Sequence, residues 1–285
     1  MLVSLILATV GRSEDVGRCL WSLAAQTDQN FEVLLVDQNA DERLVPWVEA
    51  LHSAGLRLRH LRMDKASLSG ARNLGIAESQ GEIIGFPDDD CWYEPEVVAR
   101  LRDAFLAGPG LDGVVANWVE QSDAMNDHRN DSPLSSQAWR TFRGGTASSI
   151  SLFFRRALFD RLRGFDERMG VGCWFGAGEE TDFILRALAD GALIQRLPAA
   201  RVHHLFGAPN PHPLDVRCRA QRSRARGTGA LYAKHRLSPY TIVRGIVAPP
   251  VMPLFRLAGW SAFRLGLSTA QGRCEGFLRW GWGKS

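Results

Sequence analysis

The feature that most constrains the fold is a series of apolar runs, each followed by polar residues and separated by stretches of helical periodicity. Leu2–Ala8, Phe31–Val36 and Glu82–Phe86 are mainly apolar, as expected of strands buried on both faces of a parallel sheet. The intervening patterns predict helices at 13–24, 44–51 and 67–78 and an alternating strand at 56–61. Strands that alternate with helices predict an α/β fold with a mostly parallel central sheet flanked by helices.

Polar clusters follow three of these predicted strands. They are Thr9-Val10-Gly11-Arg12, Asp37-Gln38-Asn39 and Asp88-Asp89-Asp90. In open α/β sheets, ligands bind beyond the carboxyl ends of the strands. The three clusters are therefore expected to meet at one edge of the sheet and to form a single site.

The second half of the chain is less regular. Residues 117–137 are polar and predict a long loop or lid, whereas strands are expected at 149–154 and 192–197 and a helix at 179–188. After a break at Pro209, Pro211 and Pro213 come a basic helix, 215–235, and an apolar, proline-punctuated tail. We therefore expect one domain at 1–212, with a regular half at 1–108 and an irregular half at 109–212, and a helical C-terminal extension at 213–285.

Charge is divided unevenly along the chain. Its 285 residues carry a net charge of +3, but residues 213–285 hold 13 Lys and Arg against 2 Asp and Glu, which is +11. The remaining residues hold 21 basic against 29 acidic side chains, which is −8. This asymmetry predicts an anionic partner for the C-terminal region. Nucleic acid is the weaker candidate, because no nucleic-acid-binding motif accompanies the arginines.

Cysteine usage and the N-terminus bear on the compartment. The five cysteines are scattered and contain no C-x-x-C pair, which favours a reducing environment over a disulfide framework or a zinc site. The apolar run at Leu2–Ala8 has no preceding basic region and no small-residue cleavage site, so we interpret it as a buried strand and not a signal peptide. The expected location is cytoplasmic.

The acidic triplet Asp88-Asp89-Asp90 is the first candidate site. Carboxylates a few ångströms apart raise one another's pKa unless a cation neutralises them. Mg²⁺ or Mn²⁺ with oxygen ligands would do so, and the oxygens of a diphosphate complete such a shell. The alternative is an acidic turn that caps a helix beginning near Glu94.

Several stretches, in order, resemble one family. Ser4–Thr9, Val36-Asp37, the Gly70–Ile76 stretch Gly-Ala-Arg-Asn-Leu-Gly-Ile and Phe86–Asp90 are similar to family 2 inverting glycosyltransferases with the GT-A (Rossmann-like) fold. Further matches follow at 145–146, 154–156, 164–167 and 178–183, and the resemblance covers about residues 2–207. It implies transfer of a sugar from a nucleotide sugar, with a divalent metal as cofactor.

The resemblance also implies roles for residues of the first half. Asp37 would accept a hydrogen bond from the nucleobase, and Thr9 and Arg12 would contact the nucleotide, although Gly11 stands where the family often has Asn. Arg72 would contact the diphosphate or the acidic triplet, since a guanidinium suits both. The alternative for Arg72 is a surface arginine of a helix.

The implied metal ligands are Asp88 and Asp90, the two Asp positions of the family's Asp-x-Asp motif. Asp89 occupies the variable middle position and is expected to touch the donor. A histidine after the last predicted strand is a further metal ligand in some members, and the pattern Val202-His203-His204 favours His204. The alternative is a buried or interfacial histidine pair.

The catalytic base is implied at Glu180, because Glu179-Glu180 stands where the family usually has Glu-Asp. An inverting transfer needs one carboxylate to take the proton of the acceptor hydroxyl. Glu179 and Asp182 remain alternative bases, although Asp182 has Arg186 at ion-pair spacing on the helix. The structural alternative is a set of acids favoured by the helix dipole. Trp174, Phe175 and Glu179 are expected to form the acceptor-binding wall.

The C-terminal tail mixes apolar side chains with arginines. Val251–Leu267 contains Arg256 and Arg264, and three nearby prolines argue against a spanning helix. An interfacial helix on an anionic membrane leaflet fits better, and Trp280 and Trp282 suit the same interface. The alternative is a pair of helices that packs back on the catalytic domain.

The function that we expect is inverting transfer from a nucleotide sugar, most simply a UDP-sugar, to a hydroxyl of a glycan or glycolipid. Bacterial surface polysaccharide assembly at the inner face of the cell membrane is the expected setting. A nucleotidyltransferase of similar fold is one alternative, but it should carry a longer Gly-rich phosphate loop after the first strand. A catalytically silent nucleotide-sugar-binding subunit is another, and the intact Asp88, Asp90 and Glu180 argue against it.

Overall fold

One mixed sheet forms the centre of the computed structural model, which describes residues 1–120, 133–143, 148–204 and 211–282, without the side chains of Glu120 and Trp282. The strand order within these ranges is β3-β2-β1-β4-β7-β6-β8-β5. The strands are β1 Val3–Thr9, β2 Phe31–Asp37, β3 Leu58–Arg62, β4 Ile83–Gly85, β5 Cys91–Tyr93, β6 Gly113–Glu120, β7 Leu152–Arg155 and β8 Ile194–His204.

Helices cover both faces of this sheet and form the C-terminal region. They are α1 Glu14–Ala24, α2 Val45–Ser53, α3 Leu68–Glu78, α4 Val97–Ala107, α5 Ser136–Arg140, α6 Arg156–Leu162, α7 Glu179–Ala189, α8 Leu214–Lys234, α9 Pro239–Phe255 and α10 Gly259–Trp282, with a 3₁₀ turn at Ser149–Ser151. The mostly parallel sheet flanked by helices and the helical C-terminal region are as predicted.

The four strands β1 to β4 form the parallel half of the sheet. β1 pairs in parallel with β2 and β4, and β2 pairs in parallel with β3. Alternate residues of β1 enter different cores, Leu5 and Leu7 on one face and Ile6 and Ala8 on the other. Burial on both faces is the reason that the sequence of this strand is continuously apolar.

The second half differs from the sequence-based prediction in several places. β6 occupies the start of the loop predicted at 117–137, α5 occupies its end, and residues 121–132 lie outside the described part of the chain. β8 continues past Leu197 to His204, so His203 and His204 lie within a strand. The prediction missed β5 and α6, because elements of three and seven residues are too short to show a clear period. It also missed β6, an eight-residue strand in the interior of the sheet.

The C-terminal region packs on the rest of the chain. The predicted basic helix is present as α8, and Arg222 and Arg226 of this helix pair with Glu275 of α10. Trp280 is 5% exposed and contacts Phe175, with their ring centroids 5.2 Å apart. The alternative of helices packing back is therefore the observed one, and Trp280 is a core residue and not part of a membrane interface.

Two further features of this region bear on the predicted tail. Pro249, Pro250 and Pro253, which punctuate the predicted apolar tail, lie inside α9. Across the described ranges, no helix combines the length and the apolar character that crossing a membrane requires. The side chain of Trp282 lies outside the described part.

Replacement of Gly227 tests whether α8 packs closely against the segment that precedes α7. A Cβ atom at this position would lie 1.8 Å from the carbonyl oxygen of Ala177. We expect Gly227→Ala to lower the free energy of unfolding by roughly 2 kcal/mol, because the overlap outweighs the gain in helix propensity. Gly281→Ala in α10 is the control, since nothing lies within 4 Å of its Cβ position. Denaturant unfolding measures both variants, and equal stabilities would contradict this packing.

Candidate active site

The ends of β1, β2 and β4 meet at one edge of the sheet, as predicted. Thr9 and Asp37 are register partners at the ends of β1 and β2. The acidic triplet follows β4, and the Thr9 hydroxyl donates to Oδ2 of Asp89 over 2.7 Å. The three polar clusters therefore form one connected group.

The charges of the acidic triplet are partly compensated by Arg12. Its Nη1 lies 3.0 Å from Oδ1 of Asp89 and also contacts Asp90. Burial raises the pKa of Asp89 to about 6. Burial would also raise the pKa of Asp90, but hydrogen bonds from His204 and Arg12 outweigh it and hold that pKa at about 2. Asp90 is thus a stronger acid than Asp89.

Asp88, Asp90 and His204 form a group that could hold a metal ion. One potential ligand atom from each of them lies within 4.8 Å of the other two. The antiparallel pairing of β5 with β8 places His204 opposite Cys91, directly beside Asp90, and its Nε2 lies 2.8 Å from Oδ1 of Asp90. Two carboxylates and one imidazole suit a divalent transition ion such as Mn²⁺ better than Mg²⁺, which prefers oxygen ligands alone.

His203 has a different environment from its neighbour. Its ring stacks on Trp92, with centroids 5.1 Å apart and planes 7° from parallel, and its Nε2 lies 2.9 Å from Glu94. Adjacent residues of a strand point to opposite faces. The side chains of His203 and His204 therefore lie on opposite faces of β8, and only His204 belongs to the metal-ligand group.

Asp37 is fully buried and accepts four hydrogen bonds. The donors are the backbone N and Nδ2 of Asn39, Nε2 of His60 and Nη1 of Arg62, at 2.7 to 2.9 Å. Burial alone would raise the pKa of Asp37, but these hydrogen bonds and the Arg62 charge lower it. The sequence-based prediction missed His60 and Arg62, whose only signal was their place on the neighbouring strand β3.

Arg72 lies between the two halves of the domain. This α3 side chain is 3% exposed, and its Nη1 donates to Oε1 of Glu179 over 3.0 Å and lies 3.8 Å from Glu180. Its guanidinium lies over the rings of Phe86 and Phe165, 5.7 and 5.6 Å from their centroids. Arg72 is therefore not a surface residue. Its carboxylate partners are Glu179 and Glu180 of α7, and not the acidic triplet that was expected.

The three acids at the start of α7 differ in exposure. Glu179 is 3% exposed and Asp182 is fully buried, whereas the Glu180 side chain is 22% exposed. Burial and the neighbouring charge of Glu180 raise the pKa of Glu179 to about 7. Glu180 is thus the one of these three carboxylates that solvent or a substrate reaches directly.

Asp182 is held by two cationic side chains and one histidine. Arg186 lies 2.8 Å from one carboxylate oxygen, and Lys234 and His235 each lie 2.8 Å from the other. Burial opposes ionisation, but these partners hold the pKa of Asp182 below its ordinary value. A buried carboxylate with this many donors is suited to fixing the position of α7 and not to taking a proton. Lys234 and His235 come from the end of α8, far along the chain, and the sequence showed no sign of this contact.

The predicted acceptor wall is largely occupied by the C-terminal region. The guanidinium groups of Arg226 and Arg279 lie 4.6 and 4.2 Å from the ring centroid of Trp174. Phe175 is 9% exposed and packs against Trp280. These aromatic side chains therefore join α7 to the C-terminal helices. Residues 144–147 and 205–210, which include other parts of the resemblance, lie outside the described ranges.

Comparison with known proteins identifies the family of the chain. The profile of Glycosyl transferase family 2 matches residues 4–167. EpsH of Bacillus subtilis is 29% identical over 119 residues, which cover 42% of this chain and 34% of EpsH. YwdF of the same species, an uncharacterized glycosyltransferase, is 26% identical over 218 residues, which cover 72% of this chain and 75% of YwdF. The chain thus spans only about a third of EpsH.

Two solved structures share the fold. The mannosyltransferase PcManGT of Pyrobaculum calidifontis, solved with GDP-Man and Mn²⁺, superposes with a TM-score of 0.67 at 16% identity and covers 99% of this chain and 88% of its own. Residues 1–349 of S. aureus TarS, solved with UDP-GlcNAc, give a TM-score of 0.60 at 14% identity, covering 95% and 90% of the two chains. These likenesses confirm the GT-A type of fold, including the C-terminal part.

Proposed function

Since the chain belongs to glycosyl transferase family 2, we propose that it moves a sugar, with inversion, from a nucleotide sugar to a hydroxyl of a glycan or lipid-linked glycan. A UDP-sugar is the proposed donor. The observation that carries this proposal is the accessible carboxylate of Glu180, held beside the buried Arg72–Glu179 pair. The family match disfavours the nucleotidyltransferase alternative.

Glu180 acts as the general base in this reaction. Its carboxylate takes the proton of the acceptor hydroxyl while the hydroxyl oxygen attacks the anomeric carbon. The bond from that carbon to the diphosphate oxygen breaks, and the nucleoside diphosphate leaves with the bonding electron pair. The ion pair of Arg72 and Glu179 ties the start of α7 to α3, and the contacts of Asp182 tie it to the end of α8. The Glu180 carboxylate therefore keeps a fixed position.

The nucleotide is proposed to bind at the edge formed by β1, β2 and the acidic triplet. Asp37 accepts hydrogen bonds from Asn39, His60 and Arg62 and so orders these side chains around the nucleobase. Thr9 and Asp89 lie beside the donor. Arg12 pairs with Asp89 and Asp90 and can turn its guanidinium toward a diphosphate that replaces them. Residues 1–108 then form the donor half and residues 109–212 the acceptor half.

The proposed cofactor is a divalent ion, with Mn²⁺ favoured by the single imidazole. Asp88, Asp90 and His204 would hold it. When bound, such an ion stabilises the negative charge of the departing nucleoside diphosphate. PcManGT, which shares the fold, was solved with Mn²⁺.

The C-terminal region is proposed to face an anionic membrane. Residues 216–274 contain no Asp or Glu but many arginines, among them Arg256 and Arg264. α9 and the start of α10 expose large apolar side chains, here called the α9–α10 apolar surface: Tyr240, Val243, Val247, Leu254, Phe255, Leu257 and Trp260. Exposed apolar groups among cations are typical of interfacial helices on anionic leaflets. The proposed setting is surface polysaccharide assembly at the inner face of a bacterial membrane.

Replacement of Glu180 tests the base. Glu180→Gln keeps the shape of the side chain but removes the proton acceptor, so kcat should fall roughly 100- to 10,000-fold while the donor Kd stays the same. Hydrolysis of UDP-GlcNAc with Mn²⁺ and calorimetric binding of UDP measure the two quantities. Asp182→Asn is the comparison, because it should lower the unfolding temperature by removing ion pairs. Full turnover by Glu180→Gln would instead place the base at Glu179 or Asp182.

Replacement of the adjacent histidines tests the metal site. His204→Ala should weaken Mn²⁺ binding at least about 10-fold, because it removes the nitrogen ligand. His203→Ala is the matched control, since His203 packs on Trp92 instead. Mn²⁺ titration in the presence of UDP gives the Kd, and EDTA should stop turnover. Equal Kd values for the two variants, or turnover that persists in EDTA, would overturn the assignment.

The membrane proposal is tested at the exposed turn between α9 and α10. Phe255, Leu257 and Trp260 are 81%, 91% and 70% exposed, so their replacement by Ser should leave the fold intact. Partitioning into vesicles of phosphatidylcholine and phosphatidylglycerol should fall on the order of 100-fold. Leu106→Ser in α4, also an exposed leucine, is the control. Unchanged co-sedimentation of the triple variant would contradict a membrane role.

A further inference from the structure

A cavity of about 500 Å³ lies between α9, α10 and the end of α8. Its walls include the apolar side chains of Phe142, Pro249 and Met252. Arg244, Arg273 and Tyr232 also line it, so a mainly apolar space carries two guanidinium groups and a phenol. None of these residues takes part in the transfer site described above.

The two arginines of this cavity have no carboxylate partner among the described residues. Arg244 donates to the carbonyl oxygen of Thr141, and Arg273 donates to that of Gly245. Each guanidinium has five N–H donors, so several remain available. Half-buried cations without a counter-ion are costly in an apolar setting, which an anionic ligand would offset.

Tyr232 adds a neutral donor to the same space. Gly245 permits the close approach of α9 to its hydroxyl, since a Cβ at 245 would lie 2.0 Å from that oxygen. Burial raises the pKa of Tyr232, while the nearby charges of Arg273 and Arg244 oppose the rise. The phenol therefore keeps its proton at neutral pH, and both guanidinium groups lie near it.

The cavity has an apolar exit and a link to the catalytic helix. Met252 is 41% exposed and lies on α9 beside the α9–α10 apolar surface. In the other direction, Tyr232 lies near the end of α8. The last residue of this helix, Lys234, and the next residue, His235, both contact Asp182 of α7. A molecule anchored in a bilayer and seated here would thus contact α8, the helix whose end contacts Asp182 of α7.

We propose that this cavity binds the phosphate of a lipid-linked acceptor. Arg244, Arg273 and the Tyr232 hydroxyl hold the phosphate, and the hydrocarbon chain runs past Pro249 and Met252 toward the membrane. Two cations beside apolar walls match an anionic amphiphile and neither a free sugar nor a neutral lipid. This assignment rests on the proposed function and narrows its acceptor to a phosphate-bearing lipid.

Binding of farnesyl phosphate to the full chain, measured by calorimetry below its micelle-forming concentration, tests the site. The double variant Arg244→Gln, Arg273→Gln should raise the Kd about 100-fold, because charged hydrogen bonds are lost. The matched control is Arg219→Gln, Arg224→Gln, which removes two exposed arginines of α8 that line neither the cavity nor the α9–α10 apolar surface and should leave the Kd unchanged. Farnesol should bind at least 10-fold more weakly than farnesyl phosphate.

A second variant keeps both arginines and covers the case in which the double variant misfolds. Met252→Trp narrows the apolar exit at a partly exposed position, so the fold should persist while farnesyl phosphate binding weakens at least 10-fold. Thermal unfolding and circular dichroism confirm the fold of each variant.

Three results would overturn the assignment. The first is binding of farnesyl phosphate with the native Kd by both the arginine double variant and Met252→Trp. The second is displacement of farnesyl phosphate by inorganic phosphate at equal concentration. The third is its displacement by phosphatidylglycerol at equal concentration, which would indicate a general lipid site. Donor hydrolysis by the native chain is measured separately and needs no lipid. Hydrolysis without farnesyl phosphate binding would therefore refute the lipid site alone, whereas binding without hydrolysis would count against the transferase proposal.

Discussion

The buried pair of Arg72 and Glu179 is the interaction on which the arrangement of the site depends. It joins α3, which lies beside the parallel strands, to α7, which carries the accessible Glu180. Removing one member of such a pair leaves an uncompensated charge and typically costs about 3 to 5 kcal/mol. Phe86 and Phe165 line the guanidinium. The sheet edge that carries Asp37 and the acidic triplet is thereby held at a fixed separation from α7.

A second set of contacts fixes α7 from the opposite side. Asp182 receives Lys234 and His235 from α8, and Lys234 also pairs with Asp166. The C-terminal region is therefore part of the support of the site as well as its most basic segment. The following helices of this region expose the α9–α10 apolar surface. The C-terminal region therefore contacts α7 and, as we propose, also faces the membrane.

Much of the structure of residues 1–108 was predictable from the sequence. Strands buried on both faces must be apolar throughout, and β1 and β2 show this directly. The polar residues after such strands meet at one edge because parallel strands share the direction of their carboxyl ends. This rule places Asp88 and Asp90 but not His204. His204 lies beside Asp90 because β5 and β8 pair antiparallel, a strand pair that the sequence did not reveal.

The sequence by itself determined the α/β class, the edge at which Asp37 and the acidic triplet meet, and the family. Only the tertiary structure decided which acid of Glu179, Glu180 and Asp182 is accessible. Helical spacing places these acids on one short segment but carries no information about what covers each of them. Their burial depends on Arg72 and on α8, and contacts between residues so distant along the chain leave no local pattern.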